Sequence, residues 1–96
     1  CRVSAPTIAA LDAEHPLWTW ERDDASGIIT GTRGVGRVVV YAREVCAYYR
    51  GALIRSGFPV TLAGVDDAVS AVVQHALDVI DRARGDLYEA QRVASC

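Results

Sequence analysis

The chain has no lysine and no methionine, and all ten of its basic residues other than histidine are arginine. The missing lysine excludes a nucleophilic or Schiff-base lysine and the phosphate-gripping lysine of a P-loop. Arginine without lysine, beside abundant Ala and Val, points to a GC-rich coding genome, as in an actinobacterium or its phages. Histidine is almost as scarce, with only His15 and His75. Neither sits in a pattern such as H-E-x-x-H or C-x-x-C, so no metal centre and no cofactor is implied. Cysteine occurs three times, as Cys1, Cys46 and Cys96. An odd count at such wide spacing does not suit a disulfide framework. Cys1 and Cys96 are expected at exposed ends, and Cys46 inside the fold as a small hydrophobe. No apolar run approaches the roughly 20 residues of a membrane span. The expected location is the cytoplasm, with no membrane partner.

Charge of either sign is modest. The net charge is −2, whereas a nucleic-acid binder usually carries a basic surplus to neutralise phosphates. The distribution is uneven, however. Residues 1–55 hold seven Arg against six acids, and residues 56–96 hold three Arg against six. At 51% hydrophobic and 23% charged, the chain has the composition of a folded domain rather than a disordered one. Its 96 residues read as a single domain, 1–96, that buries roughly two-thirds of its unfolded surface.

Periodicity and punctuation divide the chain. Residues 5–14 read as a short helix, with Ser4 or Thr7 as cap and Pro6 at a position that tolerates proline. His15-Pro16 ends it, because a residue before proline is pushed out of the helical region. Three strand-like runs follow at 17–22, 28–32 and 37–41, separated by the turn chemistry of 23–27 and 33–36. Such short connections predict an antiparallel meander, since parallel strands need long crossovers. Residues 42–56 then show helical spacing, with Ala42, Val45, Cys46, Tyr49, Leu53 and Ser56 on one face. Gly57 and Pro59 would stop that helix. A last helix begins near Thr61 and carries a stripe of Leu62, Val65, Val69, Val72, Val73, Ala76, Ile80, Ala83 and Leu87. Gly85 lies off the stripe, so one long helix to about residue 92 is expected. The fold expected is therefore α+β: a short N-terminal helix, a three-stranded antiparallel β-meander, and two amphipathic helices packed on one sheet face, the last one long.

Several residue groups invite a chemical reading. The glycines of Gly31-Thr-Arg-Gly-Val-Gly-Arg37 could turn N–H groups toward an anion, but phosphate loops lead into a helix and this one leads into a strand. A glycine-rich hairpin is the simpler reading. Asp78 and Asp81 could serve as paired carboxylates. Their four-residue offsets to Arg82, and Arg82's to Asp86, suit an exposed ion-pair ladder better. Cys46 and His75 could form a nucleophile–base pair only if the fold joined them, and no motif does. Arg22, Arg33, Arg37 and Arg43 come from or border the sheet, where β-sheet readers of duplex DNA carry theirs. Intermixed Glu21, Asp23 and Asp24 count against that use. Trp18 and Trp20 share a strand face and suit a core, while Tyr48 suits an interface.

The last helix is the most informative feature. About 30 residues span roughly 45 Å, more than a three-stranded sheet can cover. Its apolar stripe continues into that excess, so self-association through antiparallel helices is expected, with Tyr48, Val79, Leu87, Ala90 and Ala94 at the interface. The sequence thus predicts a non-enzymatic protein-interaction or regulatory module, homodimeric and with a further protein partner. A small DNA-binding accessory protein is the alternative, and an enzyme the least supported reading.

Overall fold

The computed structural model describes residues 5–95, with side chains through Gly85. Helix α1 (Ile8–Glu14) leads into five strands: β1 (Thr19–Arg22), β2 (Ile29–Arg33), β3 (Gly36–Val40), β4 (Val45–Tyr49) and β5 (Ala52–Phe58). Helix α2 (Leu62–Ser95) closes the chain. The strands pair in sequence order as one antiparallel meander.

The expected three strands and two final helices are therefore corrected to five strands and one final helix. Residues 42–56, read as a helix, form β4 and most of β5. The reason lies in a tight turn. Tyr49 pairs with Ala52, leaving Arg50 and Gly51 as a two-residue loop with φ of 52° and 81°. Two positive φ values are the signature of a type I′ turn, whose twist matches that of a hairpin. Glycine adopts that conformation without steric cost, and arginine at the other position is unusual. The register of β4 against β5 also shifts, so β5 lacks clean alternation.

The elements read correctly have local causes. Thr7 caps α1 by accepting the Ala10 N–H at 3.2 Å, and His15 is its C-cap. Thr61 caps α2 by accepting the Gly64 N–H at 3.0 Å. The β2–β3 turn places Gly34 (φ 60°) first of two central residues, the pattern of a type II′ turn. The glycine-rich segment is thus a hairpin, with Gly31 and Gly36 as flat spots under larger groups. A Cβ on Gly31 would sit 2.3 Å from the Trp20 ring, and one on Gly36 would sit 2.5 Å from Val72.

One sheet face meets α2. Trp20, Ile29, Val38, Val40, Val45 and Ala47 pack there against Val65, Ala68, Val69 and Val72, with Leu11 and Trp18 at the flank. Burying a side chain of this kind contributes about 1.5–3 kcal/mol. The helix starts beside the end of β5 and leaves past the β2–β3 and β4–β5 turns, so it runs along the strands. A 34-residue helix extends about 51 Å. A five-residue strand extends about 17 Å. The molecule accordingly measures 59 × 25 × 21 Å, and α2 runs unbroken through Gly85.

Candidate interaction surface

Where α2 leaves the sheet, its apolar stripe comes into the open. Val73 is 39% exposed, Leu77 50% and Ile80 51%. These positions are four and three residues apart, so they share a face. Val35, at the tip of the β2–β3 turn, is 52% exposed, and Leu17, ahead of β1, is 70% exposed. Between the helix and the β2–β3 turn runs an open groove of about 360 Å³, lined by Trp18, Gly34, Val35, Val72, Val73 and Leu77 among others, with Arg33 at its rim. Larger hollows elsewhere are more polar. That of about 460 Å³ beside β5 is lined by Arg55, Asp67, Ser70 and Gln74 as well as Phe58 and Ala71. A groove with apolar walls and one charged rim residue excludes water readily and receives apolar side chains.

The expected interface residues scatter. Val79 is half-buried on α2. The side chains of Leu87, Ala90 and Ala94 fall outside the described residues. Tyr48 is on β4, facing away from α2, so it cannot share a surface with that helix. It forms a small polar group on the open sheet face. Its hydroxyl is 3.0 Å from that of Tyr41. That hydrogen bond, then burial, pushes the Tyr48 phenol up to about 12. Nearby, Cys46 donates to a Glu44 carboxylate oxygen at 3.4 Å. Burial, and then Glu44, raise the thiol above its ordinary value. A buried thiol held protonated is a poor nucleophile. His75 is on the opposite side of the sheet, edge-on to the Tyr49 ring at 4.8 Å, so Cys46 and His75 cannot meet. Asp78 accepts a hydrogen bond from Gln74 at 3.3 Å, where a pairing with Arg82 was expected.

The four sheet arginines also separate. Arg33 and Arg37 flank the β2–β3 turn, while Arg22 and Arg43 lie at the other end of the sheet. Arg37 lies on the open face beside Tyr48, and Arg33 on the helix side. They do not form one face for a duplex.

One cluster was invisible in the sequence because it joins distant segments. His15 Nε2 lies 2.7 Å from Asp66 Oδ1, tying the end of α1 to the start of α2. The His15 carbonyl also accepts the Trp20 indole N–H at 3.3 Å. Donor atoms of Glu14, His15 and Asp66 all lie within 4.8 Å of one another, a set that could hold a divalent cation. The short His15–Asp66 contact gives the group a structural task without one, since it pins two helices across the first strand. The groove residues Val35 and Leu77 were also missed. An apolar residue between two glycines at a turn tip, as Val35 is, was the available signal.

No known family model, curated protein or solved structure matches the chain. Among the described residues no helix is long and apolar enough to cross a membrane.

Proposed function

We propose that the protein is a non-enzymatic interaction module that self-associates through α2. The observation that carries this reading is the exposed apolar stripe of Val73, Leu77 and Ile80 on a helix that outruns its sheet. A monomer gains nothing from an apolar stripe in water, whereas a second surface laid on it removes that stripe from solvent. Closed two-fold pairing is the commonest way for one surface to cover itself. The reactive side chains give an enzyme little support, since Cys46 is buried and lies across the sheet from His75. Duplex binding has less support than self-association, because its four arginines occupy opposite ends and different faces of the sheet.

Light scattering in reductant across a concentration series tests the reading. The expected mass is twice that of the 10.3 kDa chain, falling toward one copy on dilution. A mass of one copy at every concentration would overturn it.

A further inference from the structure

We propose that Glu14, His15 and Asp66 bind one divalent transition-metal ion, with Zn²⁺ the best match, and that the ion clamps the end of α1 to the start of α2.

The donor set and its spacing suit such an ion. One ligand atom from each residue, an imidazole nitrogen and two carboxylate oxygens, lies within 4.8 Å of the other two. Bonds of about 2.0–2.2 Å from Zn²⁺ to such atoms set two ligands about 3.3–3.6 Å apart in a tetrahedron. His15 Nε2 and Asp66 Oδ1, 2.7 Å apart, need to part by less than about 1 Å to reach that spacing. Glu14 is exposed, and its long side chain can close in without disturbing the core. The ion takes the lone pair of Nε2, the ring keeps its one proton on Nδ1, and the hydrogen bond to Asp66 gives way to two bonds to the metal. Three protein ligands leave one tetrahedral position to water. The nitrogen donor separates this set from the all-oxygen sets that Mg²⁺ and Ca²⁺ take.

The scaffold holds the two inner ligands in place. Leu11 in α1 and Val65 beside Asp66 are fully buried, so both helix ends are moored in the core. The His15 N–H donates to the Leu11 carbonyl at 2.8 Å, the His15 carbonyl accepts the Trp20 indole N–H at 3.3 Å, and Pro16 follows. Ligands fixed in advance lose little freedom when the ion arrives. The charges of the two elements also favour a cation. Helix α1 carries Asp12 and Glu14 and no arginine, and α2 carries Asp66 and Asp67 well before its first arginine, Arg82. Glu14 and His15 stand at the C-terminal end of α1, the end with negative partial charge.

The test uses the full chain, stripped with EDTA and then given Zn²⁺, Co²⁺ or Mg²⁺. Titration calorimetry is expected to give one Zn²⁺ per chain. The melting temperature should rise by several degrees at about a hundredfold excess over the dissociation constant. The unfolded chain has no such site, since 51 positions separate His15 from Asp66. Co²⁺ should quench the indole emission, because Trp18 and Trp20 are the chain's two tryptophans and the Trp20 ring lies 6.1 Å from that of His15. Mg²⁺ at the same concentration should do neither. His15→Gln and Asp66→Asn keep hydrogen-bonding side chains of similar reach and are expected to abolish both responses. Glu14→Gln should weaken Zn²⁺ binding by at least the roughly tenfold that losing an outer partner of a metal costs. Each response is the difference between loaded and stripped samples of one variant, so a loss of stability in the stripped chain does not imitate loss of the site. Zn²⁺ that changes neither melting nor calorimetric heat overturns the proposal, and so does binding that survives His15→Gln. Binding that is lost in His75→Gln and kept in His15→Gln would put the ion beside Asp78 on α2, and an intense cobalt–thiolate band would put it on a cysteine. Either overturns the site, and full Zn²⁺ affinity in Glu14→Gln overturns its third ligand.

Discussion

Tyr48 shows how far a residue's neighbours can be read from its type, and where such reading stops. Its aromatic bulk and hydroxyl suggested an interface, yet in β4 its hydroxyl meets that of Tyr41 at 3.0 Å. The consequence is a pH dependence of definite sign. The hydrogen bond to Tyr41 holds the folded phenol at about 12, against an ordinary 10.0. Below pH 10 both folded and unfolded chains keep the proton, so the pair contributes fully. Between 10 and 12 the unfolded chain loses a proton that the folded chain retains, and stability falls as pH rises. Tyrosinate absorbance should therefore show one late-titrating group among the four tyrosines, and the urea midpoint should drop across that window. Tyr41→Phe should remove the late group, flatten the alkaline drop and lower stability near neutrality by about 0.5–1.5 kcal/mol. Four tyrosines that ionise together near 10 in the folded chain would show that the pair does not form.

At the scale of elements, what was legible followed from local chemistry. Thr7 and Thr61 are caps, His15-Pro16 is a stop, and the runs leading to β1, β2 and β3 were bounded by turn residues. The error at 42–56 also has a physical origin. Strand β4 is apolar on both faces: Val45 and Ala47 meet the core, and Cys46 is buried beside Glu44 on the other side. A strand buried on both faces shows no alternation, and its run Val-Cys-Ala-Tyr-Tyr fits helical spacing by coincidence. The signal that would have decided it, Arg50-Gly51, differs from the usual Asn-Gly of a type I′ turn and passed as the middle of a helix. The groove was less legible than the fold, since Val35 and Leu77 come together only when the turn meets α2. The continuity of α2 at Gly85 gives a direct check. Nothing lies within 4 Å of a Cβ placed there, so Gly85→Ala adds no clash and removes a flexible residue from a helix interior. It should stabilise the helix by roughly 1 kcal/mol and raise the helical circular dichroism. A neutral or destabilising result would mean that the helix is interrupted at that position.

For the molecule as a whole, the central fact is a division of labour along α2. Its first half is part of the core, with Val65 and Ala68 fully buried and Val69 and Val72 nearly so. Its second half leaves the sheet, and residues 80–85 are all exposed. The two halves should therefore be separable. Ending the chain after Asp78, the last helix residue described as sharing a hollow with β5, removes the overhang and, among the described residues, none that is buried. The shortened chain should keep its strand and helix signals and melt cooperatively, because its core is intact. Full-length protein should behave differently if folding and association are linked. Its melting temperature should climb by a few degrees for each tenfold rise in concentration, since a partner that binds only the folded state stabilises it by mass action. In the shortened chain that dependence should vanish. Calorimetry on both chains over a hundredfold range of concentration distinguishes the possibilities. A truncation that melts without cooperativity would place part of the folding core beyond Asp78. A full-length melting temperature indifferent to concentration would mean that the overhang does not associate with itself, leaving its apolar stripe for a different protein.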